Sequence, residues 1–447
     1  MNLENKLELI ISYIKILILP ILLGMPLLLL FGTDTFINAL GINNQIQIEL
    51  IIVFVLLAII SFKNIKFNRD VFVLFLLPIV SYLYVKDQIL ALQHYGFYFI
   101  YILLYMIFYR SKNSMLIYKT ISWMSIILAL YVIFQITSVF PILLQDNAIK
   151  SEYKDILLQH RQFSTFYLPN IYAAFLLIAL FISNYIYKKE HKILYGIITL
   201  VNIIMLVSTM TFIAYILLSV FTVYKLLKQK LWKAMIIVIL TAIGLFIVIR
   251  PPESLMNSFH YRTYNYQAAF EMYKDNPVFG VGTNNFDLYY PLYKQKDSNY
   301  IHNAHSMIMQ NLADHGVWGI IILILFIKII LSVKQSPLFP MFILLSIYFA
   351  LDLVYYVPAI GGLFWLLIAI NQPENEVKPI KYIPKLVMIP LLLGYFIVII
   401  IQHYYTPLSY LEKEKQKIQS DYDNGLYYSS WIRTIELKDY YEQSKTD

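Results

Sequence analysis

Long apolar runs, separated by short polar breaks, occupy most of this chain. They fall near 9–31, 48–62, 71–86, 95–110, 115–138, 165–187, 193–209, 211–227, 232–250, 305–332, 338–357, 359–371 and 383–402. In lipid, backbone polar groups must be satisfied inside their own segment, so apolar runs of about 20 residues predict helices. The pattern predicts an all-α polytopic membrane protein with about 12–14 transmembrane helices. The first run begins near Leu9, after Lys6, with no small-residue cleavage site, and reads as a first span rather than a signal peptide. The runs 193–209 and 211–227 meet at Ser208-Thr209-Met210-Thr211, a tight external turn.

The polar breaks carry the orientation. Lys and Arg collect at Lys63/Lys66/Arg69, Arg110/Lys112/Lys119, Lys188/Lys189/Lys192, Lys225/Lys228/Lys230/Lys233, Lys328/Lys334 and Lys378/Lys381/Lys385. These alternate with breaks almost free of basic residues, at 32–47, 208–211 and 358–362. Basic loops stay cytoplasmic, which places the N-terminus inside and the two long breaks, 139–164 and 251–304, outside. The chain then divides into N-terminal spans (1–250), an extracytoplasmic loop with short helices (251–304), C-terminal spans (305–402) and a polar amphipathic tail (403–447).

Composition supports the bilayer. Hydrophobic residues are 59% and charged residues 14% of the 447, where a soluble domain carries about 25% charged residues. The net charge of +8 fits loops facing anionic lipid and points away from nucleic acid. Without cysteine there is neither a disulfide nor a thiolate metal site.

The chemistry is concentrated between Pro251 and Gly319. Tyr261, Tyr264, Ala268 and Met272 recur at helical spacing, and Asn276-Pro277 should end that helix. Gly280 and Gly282 permit a tight turn closed to most side chains. Phe286, Tyr289, Tyr290 and Tyr293 follow; they suit stacking on sugar rings, or an interfacial aromatic belt. His302 and His305 stand at the entry of the next apolar run, where an imidazole can act as a general base. Metal binding lacks a carboxylate cluster to complete it. Arg262 can hold a phosphate bidentately or snorkel to the headgroups. Asp352 lies inside an apolar run; such a carboxylate is functional by default, or else is satisfied by Tyr355 and Tyr356.

These residues also form a recognisable pattern. Tyr261-Arg262, then Asn276-Pro277-Val278-Phe279-Gly280-Val281-Gly282-Thr283-Asn284-Asn285-Phe286, then His305 through Asp314-His315-Gly316-Val317-Trp318-Gly319 resembles the signature of the O-antigen ligase and polysaccharide polymerase family (WaaL/Wzy type). Arg161 and Phe166-Tyr167-Leu168-Pro169-Asn170 are similar to that family's entry to an earlier helix. The family's histidine precedes the first glycine by eleven positions. His305 keeps that spacing to Gly316, and His302 does not. Two departures stand out. Asp314 replaces the usual Glu, and Phe212 follows Thr209-Met210-Thr211 where the family often has Arg. Arg161 is the substitute for that missing arginine.

The resemblance implies a GT-C-like membrane glycosyltransferase of the outer leaflet of the bacterial cell membrane, working without metal or other cofactor. Its donor would be an undecaprenyl-diphosphate-linked oligosaccharide and its acceptor a sugar hydroxyl on a glycan. His305 and Arg262 would be catalytic, with Arg161, His302, Gly280, Gly282 and Asp352 in substrate binding. Heavy use of Ile, Lys, Asn and Tyr leans toward an AT-rich genome and a capsular or related surface-polysaccharide polymerase, working beside other polysaccharide-assembly proteins. The alternatives are a ligase acting on a lipid or protein acceptor and, from another class, a lipid-linked oligosaccharide flippase. A flippase should spread polar groups along a central cavity in repeated halves.

Overall fold

The computed structural model describes residues 67–82, 85, 91, 98, 101–111, 113–145, 151–166, 168–249, 252–295, 298, 301–373 and 379–380. The expected spans 9–31, 48–62 and 383–402 and the tail 403–447 lie outside the described residues. The described part is helical, apart from a two-residue antiparallel pairing of Phe67–Asn68 with Pro379–Ile380. In chain order the helices are α1 (Arg69–Leu76), α2 (Pro78–Tyr82), α3 (101–108), α4 (Ser114–Phe134), α5 (Phe140–Gln145), α6 (Ser151–Leu158), α7 (Pro169–Glu190), α8 (Ile193–Ser208), α9 (Phe212–Lys228) and α10 (Trp232–Ile249). After these come α11 (Pro252–Asp275), α12 (Phe286–Tyr293), α13 (Met307–His315), α14 (Val317–Ser332), α15 (Phe339–Leu351) and α16 (Pro358–Ile370). A 3-10 turn, Leu353–Tyr356, joins the last two.

Helix α7 is the central element. It starts at Pro169, whose fixed φ suits the first helical position. It ends at His191, in the left-handed conformation with φ +54°. From Ile171 to Ser183 every residue is buried, so α7 is wrapped on all sides. At 22 residues it is about 33 Å long, close to the hydrocarbon thickness of a bilayer. Helices α4 and α8 pack along it, and α9, α15 and α16 complete the surround. Several outer helices instead present apolar side chains outward: Trp123, Ile127, Leu130 and Ile133 on α4, Ile236, Ile237 and Leu240 on α10, and Ile324 and Ile327 on α14. Continuous apolar faces of this size are not stable against water and suit lipid. Among the described residues two helical stretches, Ser114–Gln145 and Pro169–Glu190, are long and apolar enough to cross a membrane, and five further apolar helices are shorter.

Three expected spans differ in form. The run 115–138 continues through a π-helical turn, Gln135–Val139, into α5. Gln135 is buried there and donates to the carbonyl of Ser164 at 2.9 Å, which ties the 159–168 segment to the bundle. The run 305–332 divides at Gly316 into α13 and α14. Polar Gln310, Asn311, Asp314 and His315 are buried in α13, and only α14 is an apolar helix of the bilayer type. The run 338–357 breaks at Asp352. The breaks 139–164 and 251–304 are largely helical, and α11 begins at Pro252, well before the expected Tyr261.

The glycine turn docks onto the end of α13. Val281 and Gly282 donate to the carbonyls of Ala313 and Asp314 at 2.8 and 3.0 Å, and Val317 donates to Pro277 at 2.8 Å. Gly280 has φ +70°, and a Cβ there would lie 2.4 Å from the Ala313 carbonyl oxygen. Gly280→Ala should therefore cost more than about 2 kcal/mol, through backbone strain added to a clash that only main-chain movement relieves. Thermal unfolding in detergent measures it. Gly244→Ala, with open space around the glycine, is the control and should be neutral or stabilising.

Candidate functional site

The site is assembled where helices end. Helix α15 stops at Leu351, and Asp352 adopts an extended conformation (φ −154°, ψ 164°) that starts the following 3-10 turn. Its carboxylate is buried, with 2% of the side chain exposed. Oδ1 accepts from the Leu353 backbone N–H at 2.7 Å and from Asn170 Nδ2 at 2.9 Å. Oδ2 accepts from Arg262 Nη2 at 3.0 Å. Arg262 Nη1 donates to the Leu351 carbonyl at 3.0 Å, so the guanidinium also caps the C-terminus of α15, the end where a cation is favoured. Arg262 comes from α11 and remains 30% exposed. One edge of the guanidinium thus grips the bundle while the side chain stays partly exposed.

His305 is placed beside this pair by its backbone. It has φ +52°, a conformation few non-glycine residues adopt and one that persists only where the surroundings impose it. Ser306 supplies the restraint from one side. Its hydroxyl caps α13, accepting from Met309 N at 3.3 Å, and donates to the Ala350 carbonyl of α15 at 2.6 Å. From the other side the Tyr266 hydroxyl donates to the His305 carbonyl at 3.4 Å. Burial lowers the imidazole pKa from the ordinary 6.5; Asp352 opposes the shift, and Arg262 and His302 add to it. At neutral pH His305 is the uncharged base, next to a carboxylate and a guanidinium.

Arg161 reaches the same region from the segment after α6. Its Nε donates to the Thr209 carbonyl at 3.4 Å, at the Ser208–Thr211 turn where the family pattern would carry arginine. The neighbouring strut is the contact of the Ser208 hydroxyl with Gln162 Oε1. The buried Tyr348 hydroxyl interacts electrostatically with Asp352, Arg262 and Arg161.

Other expected site residues lie elsewhere. His302 is 67% exposed and paired through Nδ1 with Asp287 Oδ2 at 2.8 Å, on the protein surface. Gly280 and Gly282 shape the turn under α13. Gly282 has φ +95°, and a Cβ there would collide with the Val85 side chain; both glycines act through the backbone. Beneath that turn Asp314 is buried, and its carboxyl is pushed up to about 8 by burial, so it is mostly protonated at neutral pH. Gln310 links it to the His305 segment, donating to Asp314 Oδ1 at 3.0 Å and accepting from Ala304 N at 2.7 Å.

Two readings of the sequence are corrected. Asp352 is not satisfied by Tyr355 or Tyr356, because the break after Leu351 turns it toward Arg262 and Asn170; the Tyr355 hydroxyl accepts from Trp365 Nε1 at 3.1 Å instead. Nor are Phe286, Tyr289 and Tyr290 a sugar-stacking surface. All three are buried in a small apolar core with Ala268, Ala269 and Met272. Periodicity along α12 could not distinguish a face turned to a ligand from one turned to α11. Sequence reasoning also passed over Asn170, Tyr266, Ser306 and Tyr348. Asn170 was visible as the polar residue following Pro169 at a helix start, and Ser306 as the residue after His305 and a cap before a helix; Tyr266 and Tyr348 carry no local signal.

Described residues that are helical apart from one short strand pairing, with apolar surfaces suited to lipid and a polar site at helix ends, are those of a helical membrane protein. Residues 171–324 match the O-antigen ligase family (Wzy_C), so this segment carries an O-antigen ligase family domain, as the spacing of His305 to Gly316 implies. The match covers α7 to mid-α14 and includes Arg262, Gly280, Gly282, His302 and His305; Arg161, Asn170 and Asp352 lie outside it. No curated protein matches the chain. The family places the activity among glycosyltransferases of the ligase and polymerase type.

Proposed function

We propose that the protein transfers a glycan from undecaprenyl diphosphate to a sugar hydroxyl at the outer leaflet, as a polymerase of a capsular or related surface polysaccharide. The observation that carries this reading is the convergence of His305, Arg262 and Asp352 at the break after α15. The acceptor oxygen attacks the anomeric carbon of the donor glycan, and the bond from that carbon to the phosphate oxygen breaks. The hydroxyl proton passes to His305. The leaving undecaprenyl diphosphate takes the electron pair, and its developing charge is held by Arg262 and Arg161. Asp352 keeps the Arg262 fork oriented. No step needs a metal. A donor embedded in the bilayer enters sideways between helices, which accounts for a site at the membrane edge. Among the described residues, the buried ion pair of Arg262 with Asp352 lies at this site, which favours transfer over flipping.

Sidedness is supported by the two ends of α7. Asn170 and the site stand at its start. At its other end Glu190 pairs with Lys119 and Lys192 at 2.6 and 3.2 Å, within the basic set expected inside. The chain has no cysteine, so single cysteines report topology cleanly. Glu271→Cys and Gln295→Cys, both exposed, should react with a membrane-impermeant maleimide in intact cells. Lys192→Cys, 64% exposed in the native side chain, should react only after permeabilisation. Protection of the first two until permeabilisation overturns the outer-leaflet assignment. Deletion of the gene, with accumulation of lipid-linked repeat units and loss of long chains, tests polymerisation. Retention of long chains that merely fail to reach a lipid or protein acceptor would favour a ligase.

A further inference from the structure

Asn170 makes no contact that a helix start requires. It is the second residue of α7, and its side chain points away from its own helix to the break in α15, 182 residues later in the chain. There its amide donates to Asp352 Oδ1 at 2.9 Å. Its backbone carbonyl in turn accepts from the Tyr348 hydroxyl at 2.8 Å. Tyr348 is fully buried one turn before Asp352. Asn170 is therefore held by α15 through its main chain and holds α15 through its side chain.

The geometry at Asp352 says what this achieves. A carboxylate on an extended residue can rotate about its χ angles. The Leu353 N–H and the Asn170 amide both bond to Oδ1, and two donors on one oxygen set the plane and direct Oδ2 toward Arg262. Without the amide, Oδ1 retains one local backbone donor, and nothing from α7 fixes the rotamer. The Arg262 fork, which needs Oδ2 and the Leu351 carbonyl in register, then loses its orientation.

We infer that Asn170 is a positioning residue for the transfer reaction, locking the Asp352 carboxylate so that Arg262 is presented to the leaving diphosphate. The inference rests on the transfer reading above and extends it to a residue of a different helix, α7. It also assigns the start of α7 a role in chemistry as well as in folding.

Asn170→Ala and Asn170→Asp separate positioning from structure. Activity is read in isolated membranes, using lipid-linked glycan extracted from cells that lack the chain. Asn170→Ala should lower turnover by about 10- to 100-fold, the range set by one hydrogen bond to a charged group, with a smaller change in KM. Asn170→Asp puts a carboxyl against Oδ1. Protonated, it donates as the amide does; ionised, it repels Asp352 and competes for Arg262. Its activity should recover as pH falls and be lost as pH rises, a limb absent from the wild type and from Asn170→Ala. A residue needed only for folding would give losses independent of pH. Wild-type turnover in Asn170→Ala, or an Asn170→Asp profile parallel to wild type, overturns the inference. His305→Ala and Arg262→Ala run alongside. If they are inactive while Asn170→Ala is fully active, positioning alone fails; if they are active, the transfer reading itself fails.

Discussion

His305→Ala should lower transfer by about 10²–10⁴-fold, the usual contribution of a positioned general base, while the protein still accumulates in the membrane. His302→Ala should leave substantial activity. The reason lies in the two environments. His305 is fixed by a left-handed backbone between Tyr266 and Ser306, with Arg262 and Asp352 beside it. His302 is exposed and paired with Asp287. The pH dependence has a definite sign. Burial lowers the His305 pKa below 6.5, so the base form persists into mild acid. Activity should be lost only as pH falls below the ordinary imidazole range, and His305→Ala should remove that limb. Activity measured on extracted lipid-linked glycan across pH, with membrane protein levels matched, checks both points. An active His305→Ala variant beside an inactive His302→Ala would transfer the role to His302.

Arg262→Ala should impair both activity and stability. Asp352 is buried with Arg262 as its ion-pair partner, and removing one member of a buried pair leaves an uncompensated charge. That loss is typically about 3–5 kcal/mol, and the partial exposure of Arg262 places it near the lower end. Arg262→Lys tests the chemistry separately. Lysine keeps the charge but has no planar fork, so it cannot bond the Asp352 carboxylate and the Leu351 carbonyl in parallel while facing a phosphate. The lysine variant should recover part of the thermal stability in detergent and stay impaired in turnover. Turnover equal to wild type would reduce Arg262 to a general positive charge. Asp352→Asn should show a milder stability loss than Arg262→Ala, because the amide leaves no buried charge behind.

Several features were legible before any coordinates. Apolar run length predicted helices because lipid leaves the backbone no other way to satisfy its polar groups, and the runs beginning at 71, 115, 165, 193, 211, 232, 305, 338 and 359 each start within a few positions of a helix start. The fixed spacing of His305 to Gly316 and the paired Gly280 and Gly282 pointed to the family domain, because these positions are constrained by local backbone geometry: left-handed φ values and close main-chain approach. Lys and Arg alternation is equally local. The substitution of Arg161 for a missing arginine was readable only as a proposal; its guanidinium donates to the Thr209 carbonyl.

What the tertiary structure alone decided is which polar groups meet. Asp352 looked like a carboxylate within a span. Only the break after Leu351, and the arrival of Arg262 from 90 residues away and Asn170 from 182, make it the hub of the site. The division of 305–332 into α13 and α14 likewise depended on a partner, since Gly316 breaks the helix where the 277–282 turn packs against it. The aromatic residues of α12 read as a sugar-stacking surface or an interfacial belt because apolar periodicity is the same whether a face meets a ligand, lipid or another helix; α11 covers Phe286, Tyr289 and Tyr290. Local sequence sets the helices and their ends through short-range sterics and backbone satisfaction. The pairing of charges across those ends is long-range and is set only when α7, α11 and α15 pack together.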